Sequence, residues 1–215
     1  MKRPASRRPV RRYHHGNLRQ ALLDQAERIL ERDGIQALTL RAVARSAGVS
    51  HAAPNNHFGD LTGLLSELAA LGFNRVETAL GAAMQAAGSD PRDRRKAMGT
   101  AYVGFARAHP GLFALMFRSE RLNPARQALR EAIDATRTRL RTAAAWPAPG
   151  ASRAPAKPLT PLQLAARATA LWSLAHGFAM LLLDGRLDGP IRSLPANQGA
   201  DSLLQAVLDT VRLGD

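Results

Sequence analysis

The stretch TLRAVARSAGVSHAAPNNHFGD, residues 39–60, decides the fold of this chain. Thr39 is a typical helix N-cap, and the apolar positions after it recur at helical spacing until Gly48. Ser50 predicts a second N-cap, and the helix that follows tolerates Pro54 because few amide hydrogen bonds are lost near a first turn. The stretch therefore predicts two short helices joined by a tight glycine turn.

A longer helix is expected immediately before this pair. Asn17 is a suitable N-cap, apolar residues recur at helical spacing from Leu18 to Leu30, and Gly34 ends the pattern. A bracing helix followed by two short helices and a glycine turn forms a helix-turn-helix unit. The outer positions of its last helix are short and mostly polar, as the entry of a helix into a major groove requires. Asparagine can pair with adenine, and an alanine methyl can touch thymine.

The remainder of the chain shows helical periodicity and no alternating strand pattern or internal repeat. The segment 146–161 carries five prolines and is predicted to be a surface loop or a linker. Thr160 and Pro161 then start a new helix. The chain is predicted to be all-α, with a three-helix DNA-binding unit followed by a bundle of about six helices. Those later helices are predicted over residues 61–86, 91–108, 110–118, 124–145, 161–184 and 200–213.

The predicted domain boundaries follow from these elements. Residues 1–13 form a basic arm, 14–60 the helix-turn-helix domain, and 61–215 the C-terminal domain. The first domain is expected to pack on the start of the fourth helix, to about residue 78.

The charge balance points to an anionic partner. The 215 residues include 30 Lys and Arg against 17 Asp and Glu, a formal net charge of +13, which favours nucleic acid or an anionic surface. A soluble protein with a basic bias is the alternative. The arm could be a solvated tail or a minor-groove reader. Its candidate DNA contacts are Arg7, Arg8, Arg11 and Arg12.

Other functional classes lack support in the sequence. The chain has no cysteine, which excludes disulfides, thiol nucleophiles and Cys-ligated zinc and suits a reducing cytosol. No Gly-rich phosphate loop, nucleophile elbow or paired carboxylates indicate an enzyme. His14, His15, His51 and His57 lack a carboxylate cluster, so neither a metal nor a cofactor is predicted. The longest apolar run, 178–183, is far below the roughly 20 residues that span a bilayer.

Two sequence matches identify a family resemblance. LRQALLDQAERILERDG, residues 18–34, followed by the stretch 39–60 resembles the DNA-binding domain of TetR transcriptional regulators. YHHGNLRQALL, residues 13–23, with Trp172, His176 and Gly177 resembles the subgroup whose C-terminal domain is named for a Trp-His-Gly triplet. The resemblance implies an all-helical, non-enzymatic homodimer in the bacterial cytoplasm that binds double-stranded DNA and a small-molecule effector.

The resemblance also assigns roles to residues. Thr39 and Ser50 would touch phosphate, and His51, Ala52 and Asn56 would face bases. This chain departs from the family at Asn55, where an aromatic is usual, and at Leu61, where lysine is usual; both family residues contact the DNA backbone. The predicted DNA-binding set in the first domain is Thr39, Arg41, Ser50, His51, Ala52, Asn55, Asn56 and His57.

Two more sets are predicted in the C-terminal domain. An apolar, aromatic-rich group is predicted to form ordinary core, or to line the effector pocket that the resemblance implies in this domain. Its members are Tyr102, Phe105, Phe113, Met116, Phe117 and His176. The Ala- and Leu-rich helix 161–184 is expected to pack against helix 200–213 and its two-fold mate. The predicted dimer interface is Leu171, Trp172, Ala175, Ala179, Leu204 and Leu208.

The sequence thus predicts a ligand-responsive repressor that binds a pseudo-palindromic operator as a homodimer. The alternative is an effector-binding helical bundle whose DNA binding is weakened or indifferent to sequence.

Overall fold

The computed structural model describes residues 18–146 and 158–210, and within these ranges every regular element is a helix. The all-α prediction is confirmed. The predicted arm with Arg7, Arg8, Arg11 and Arg12, the N-cap Asn17 and most of the Pro-rich segment lie outside the described residues. In chain order the helices are α1 (Leu18–Asp33), α2 (Leu40–Ala47), α3 (Ala52–Phe58), α4 (Leu61–Ala86), α5 (Pro91–Ala108), α6 (Pro110–Met116), a 3₁₀ turn (Ser119–Arg121), α7 (Gln127–Ala145), α8 (Pro161–Leu183), α9 (Asp188–Arg192) and α10 (Ala200–Thr210).

The ends of α2 form as the sequence predicts. The Thr39 hydroxyl oxygen accepts a hydrogen bond from the Ala42 amide at 3.1 Å, which satisfies one of the amides that a helix start leaves unpaired. Gly48 has φ 67° and ψ 33°, a left-handed conformation that glycine adopts without a Cβ clash. The Val49 amide then donates to the Ala44 carbonyl at 3.0 Å. This closes α2 and turns the chain towards α3.

The start of α3 corrects the prediction for Ser50. The N-cap position is occupied by His51, whose side chain makes no capping hydrogen bond. Ser50 contributes its backbone carbonyl, which accepts from the Ala53 amide at 3.0 Å, so the first turn closes through the main chain. The Ser50 side chain is therefore exposed and is not needed to start the helix. Pro54 lies in the first turn of α3, where its missing amide removes no helical bond.

The later helices follow the predicted spans, with differences where local pattern is weak. The bounds of α4 and α5 agree with the prediction, whereas α6 ends at Met116 and α7 begins at Gln127. The sequence does not predict the short helix α9, because five residues give too little periodicity to detect.

Helix α4 lies at the centre of the fold. It contacts α1 and α3 on the side of the helix-turn-helix and α5, α6 and α7 on the side of the bundle. Its inward positions are fully buried, as at Leu64, Leu68 and Val76. The buried Ser66 hydroxyl donates to the Thr62 carbonyl at 2.7 Å and accepts from the Asn123 amide at 2.9 Å. One helix thus supports both parts of the molecule.

Helices α8 and α10 pack mainly on other helices of the same chain, and their predicted packing with a two-fold mate stays a prediction. Within the chain, α8 packs on α5 and α7, and α10 packs mainly on α5. The charged pairs that hold α10 also come from α5: Lys96 lies 3.0 Å from Asp209, and Arg107 lies 2.6 Å from Asp201. By length and composition α8 is apolar enough to cross a membrane. Here it forms one layer of the helical bundle.

Candidate DNA interface and effector cavity

The exposed side of α3 is held in place by two buried residues. Pro54 and Phe58 face the core, and the Arg19 guanidinium lies 5.6 Å from the centroid of the Phe58 ring. Because these two positions are fixed inward, the intervening residues face solvent. The structure brings six residues of the predicted DNA-binding set together on this exposed side: Ser50, His51, Ala52, Asn55, Asn56 and His57.

The N-terminal half of α2 provides candidate phosphate contacts beside this edge. Thr39 uses its hydroxyl oxygen as an acceptor, so the hydroxyl hydrogen can donate to an anion. Arg41 is exposed, and so is Arg45 one turn further along α2. Neither guanidinium forms an ion pair within the described ranges. Sequence reasoning missed Arg45, although its i,i+4 relation to Arg41 places the two side chains on one face.

The two positions that depart from the family pattern, Asn55 and Leu61, differ in their exposure to solvent. Leu61 is half-buried and packs against the hydrophobic core at the first position of α4. Asp60 caps this helix by accepting from the Gly63 amide at 2.6 Å. Position 61 therefore contributes packing where a lysine would contribute charge. Asn55 is exposed and keeps a side chain that can donate to phosphate.

Several polar contacts join the helix-turn-helix to the bundle. Glu31, near the end of α1, accepts from the Gly111 and Leu112 amides of α6, both at 2.8 Å. Glu27 pairs with Arg75 of α4. Arg126, immediately before α7, donates to the carbonyl of Phe58 at the end of α3. Sequence reasoning missed these contacts because each joins residues that are 48 or more positions apart.

An aromatic cluster surrounds His176 in the bundle. The Tyr102 hydroxyl lies 3.0 Å from His176 Nδ1, and the His176 ring centroid is 4.4 Å from that of Phe117 and 5.5 Å from that of Phe113. Burial lowers the pKa of His176, which favours the neutral imidazole. Burial also raises the pKa of Tyr102 far above its ordinary value, and the hydrogen bond with Trp172 opposes this only in part. The cluster is thus neutral and internally hydrogen-bonded.

A cavity next to this cluster lies between α5, α7 and α8. Its volume is about 70 Å³, and it is partly open to solvent. Of the predicted pocket set, only Tyr102 lines this cavity. Phe105, Phe113 and Met116 are buried in the core, and the rings of Phe117 and His176 contact that of Trp172, which lines the cavity. The lining residues are Leu80, Arg95, Met98, Gly99, Tyr102, Thr136, Leu140, Ala143, Leu171, Trp172, Leu174, Ala175 and Leu208.

Burial within the chain differs among the residues of the predicted dimer interface, which stays a prediction. Leu204 is 1% exposed because α10 packs on α5, and Ala175 and Ala179 are buried against neighbouring helices. Leu171 and Leu208 are half-buried beside the cavity. A residue that its own subunit covers has little surface left for a partner. The large apolar side chains that α8 does expose are Leu162, Trp172, Met180 and Leu181.

Comparisons with known proteins match both parts of the chain. A family model described as "Tetracyclin repressor-like, C-terminal domain" matches residues 95–210, and one described as "Bacterial regulatory proteins, tetR family" matches residues 22–68. A solved protein of unknown function from Rhodococcus sp. RHA1 is 36% identical over 94% of this chain and 96% of its own, with a TM-score of 0.71. No curated protein matches.

The TetR family regulator PfmR from Thermus thermophilus shares the fold. It is 19% identical over 87% of this chain and 91% of its own, with a TM-score of 0.56. Placement in the Trp-His-Gly subgroup stays a prediction. The two family models cover the helix-turn-helix and more than half of the chain beyond it, and the chain therefore belongs to the TetR family of bacterial transcriptional regulators.

Proposed function

We propose that this regulator is a ligand-responsive repressor that binds a pseudo-palindromic operator as a homodimer. The observation that carries the proposal is the edge of α3, where Pro54 and Phe58 are buried and the polar residues between and before them are exposed. Ala52 and Asn56 lie one turn apart on that edge, so both can meet base edges in one groove. Arg41 and Arg45 on α2 flank it for phosphate contacts.

The exposed face of α8 supports the homodimer. Trp172 is 44% exposed, Met180 37% and Leu181 43%, and large apolar groups on one helix are typical of an interface. In a two-fold dimer the two α3 helices enter successive major grooves, about 34 Å apart on one side of the duplex. The symmetry of the operator then follows from the symmetry of the protein.

The cavity between α5, α7 and α8 supports ligand response. A ligand shifts a regulator off its operator only if it binds better to the conformation in which the α3 helices are spaced wrongly for DNA. The bundle is connected to the helix-turn-helix by the hydrogen bonds that Glu31 of α1 accepts from α6 amides and by the hydrogen bond that Arg126 donates to the Phe58 carbonyl. Movement of α6 or the start of α7 would therefore be transmitted to α1 and α3.

The proposed roles of the domains follow the domain boundaries predicted from the sequence. Residues 14–60 would read DNA, and 61–215 would bind the effector and dimerise, with the start of α4 shared to about residue 78. The basic arm 1–13 would add phosphate or minor-groove contacts. Such a protein would work in the cytoplasm, on the chromosome.

Selection of bound duplexes from a random pool, followed by sequencing, tests the proposal. We expect an enriched palindrome, an affinity at least about 10³-fold above that for random duplex, and a dimer by sedimentation. Uniform recovery of all sequences would instead favour the alternative, a helical bundle with weak or sequence-indifferent DNA binding. Repeating the selection with candidate metabolites then tests ligand response.

A further inference from the structure

The composition of α3 limits which bases its side chains can read. Within residues 39–60 the charged residues are Arg41 and Arg45 on α2 and Asp60 after α3, so α3 itself carries no Lys, Arg, Asp or Glu. Guanine is most often read by Arg or Lys, and cytosine by a carboxylate. Because α3 lacks these readers of G·C pairs, its Asn, Ala and His side chains remain to make base contacts.

The two buried residues of α3 fix which side of the helix faces outward. Pro54 and Phe58 are buried against the protein, and successive residues of a helix turn by about 100° around its axis. From the mean direction of this buried pair, Asn56 lies about 180° away and Ala52 about 140° away. Ala53 lies about 120° away and is half-buried. Asn56 and Ala52 therefore point most directly away from the protein, towards the floor of a groove that α3 enters.

The other exposed residues of α3 point sideways. Asn55 and His57 are exposed and lie about 80° from the buried pair, on opposite sides of the helix. His51 has a helical backbone conformation, φ −61° and ψ −21°, so it continues the same pattern and lies about 40° from the buried pair. In a major groove roughly 12 Å wide, side chains at these angles meet the sugar-phosphate walls, to which Asn and His can donate.

The two outward residues both suit A·T pairs. The Asn56 amide nitrogen can donate to adenine N7 while the amide oxygen accepts from the adenine N6 amino group. The Ala52 methyl group makes no hydrogen bond and can contact the 5-methyl group of thymine. The two residues are four positions apart, which is about 6 Å along the helix and corresponds to about two base steps.

Resting on the operator binding proposed above, we propose that α3 reads A·T pairs. Asn56 pairs with an adenine, and Ala52 contacts the methyl group of a thymine within about two base pairs of that adenine. His51, Asn55 and His57 contact the phosphate walls and select no base. The DNA partner is thus an operator whose half-sites place these A·T pairs in the major groove that α3 occupies.

Base analogues in the selected operator test the role of Asn56 in the full-length protein. Repeating the selection with Asn56→Ala identifies the base position that loses its preference. At that position 7-deazaadenine removes the N7 acceptor and should weaken wild-type binding at least about fivefold, while Asn56→Ala should bind both duplexes equally. A preference for G or C at that position, or equal wild-type affinity for adenine and 7-deazaadenine, would overturn the proposal.

A change of base preference tests which residue points outward. Asn56→Arg supplies the side chain that most often reads guanine, so the preference at that position should change from adenine to guanine. Asn55→Arg is the matched control, since its side chain points to a groove wall. It should strengthen binding to operator and random duplex alike without changing any base preference. An unchanged preference for adenine in Asn56→Arg, or a changed preference in Asn55→Arg, would contradict the assigned orientation of α3.

Replacement of thymine by uracil tests the contact of Ala52. The change deletes one methyl group and should weaken wild-type binding about fourfold. Ala52→Gly should bind the thymine and uracil duplexes equally, whereas Ala53→Gly should retain the difference. Both variants place one glycine in α3, so they carry a similar intrinsic cost to the helix. Equal wild-type affinity for thymine and uracil at every position within two base pairs of the adenine would remove Ala52 from the base contacts.

The outcome of the selection separates this inference from the proposed function. An enriched palindrome in which the position that depends on Asn56 is a G·C pair would leave operator binding intact and overturn A·T reading. Uniform recovery of all sequences would overturn operator binding, and A·T reading with it.

Discussion

Arg126, the residue before α7, donates a hydrogen bond to the backbone carbonyl oxygen of Phe58, the last residue of α3. Its guanidinium also lies 3.8 Å from Glu67 of α4 and occupies the space beside Gly63. The residue that precedes α7 therefore holds the C-terminal end of the helix proposed to read DNA. Further along, α7 lines the cavity with Thr136, Leu140 and Ala143.

Removal of the hydrogen bond between Arg126 and the Phe58 carbonyl should destabilise the protein. Arg126→Met leaves the partly buried Phe58 carbonyl without its donor, and an unsatisfied group of this kind costs about 1 to 3 kcal/mol. We expect a loss of that size in the free energy of unfolding measured in urea. Arg130→Met, one turn later on the exposed side of α7, should have no measurable effect. Equal stability of the two variants would show that the contact contributes nothing.

The packing around Gly63 predicts a second, larger effect. A Cβ at Gly63 would overlap the Phe58 carbonyl oxygen and the Arg126 guanidinium, whereas a Cβ at Gly104 on α5 would meet nothing within 4 Å. Gly63→Ala should therefore lower the unfolding temperature. Gly104→Ala should raise stability by about 0.5 to 1 kcal/mol, since alanine replaces an exposed helical glycine. Both substitutions replace glycine by alanine in a helix. Stability changes of opposite sign would therefore show that the steric overlap at position 63 causes the loss.

Glu31 is expected to hold α6 against α1. Glu31→Ala removes two charge-assisted hydrogen bonds from the Gly111 and Leu112 amides and should cost about 1 to 3 kcal/mol. Hydrogen exchange should show faster exchange at the start of α6, with little change in α10. Glu131→Ala on the exposed side of α7 is the control. Unchanged exchange in α6 would contradict the assigned role of Glu31.

Stability should fall at acid pH because of His176. Burial lowers the pKa of His176 below its ordinary value of 6.5, so between these two values the unfolded chain binds more protons than the folded one. Stability is then greatest above pH 6.5 and falls as the pH drops through the lowered folded value. The side chains that contact the ring are neutral: Tyr102 of α5, Phe113 of α6, Phe117 immediately after α6, and Trp172 of α8.

Thermal unfolding from pH 8 to pH 5 measures this effect. The wild type should lose more stability over that range than His176→Gln, while His51→Gln, on the exposed edge of α3, should follow the wild type. Parallel profiles for wild type and His176→Gln would assign the acid sensitivity to other groups.

Asn56 should carry base specificity. Asn56→Ala should cost about 1 to 3 kcal/mol on the selected operator and relax the preference at one base position. Arg41→Ala, a phosphate-type contact, should instead weaken binding to all sequences and reduce the salt dependence by about one unit of slope. Gel shifts with operator and random duplex at several salt concentrations distinguish the base contact of Asn56 from the phosphate contact of Arg41. Equal losses on both duplexes for Asn56→Ala would remove it from the set of base contacts.

The sequence by itself determined the elements that depend on neighbouring residues. Thr39 and Gly48 fix the ends of α2 because capping and left-handed turns involve groups within a few positions. The bounds of α4 and α5 were predictable from apolar periodicity for the same reason. The exposed edge of α3 also followed from local pattern, although its start did not require Ser50 as a side-chain cap.

Only the tertiary structure decided which helices meet and what they enclose. Periodicity marked Phe113 and Leu204 as apolar, but the packing of α6 and α10 placed them in the core rather than in a pocket or an interface. The contacts of Glu31 with α6 and of Arg126 with Phe58 join residues 80 and 68 positions apart. Such contacts depend on how helices cross, and crossing is set by the shapes of whole packed faces, which local spacing does not encode.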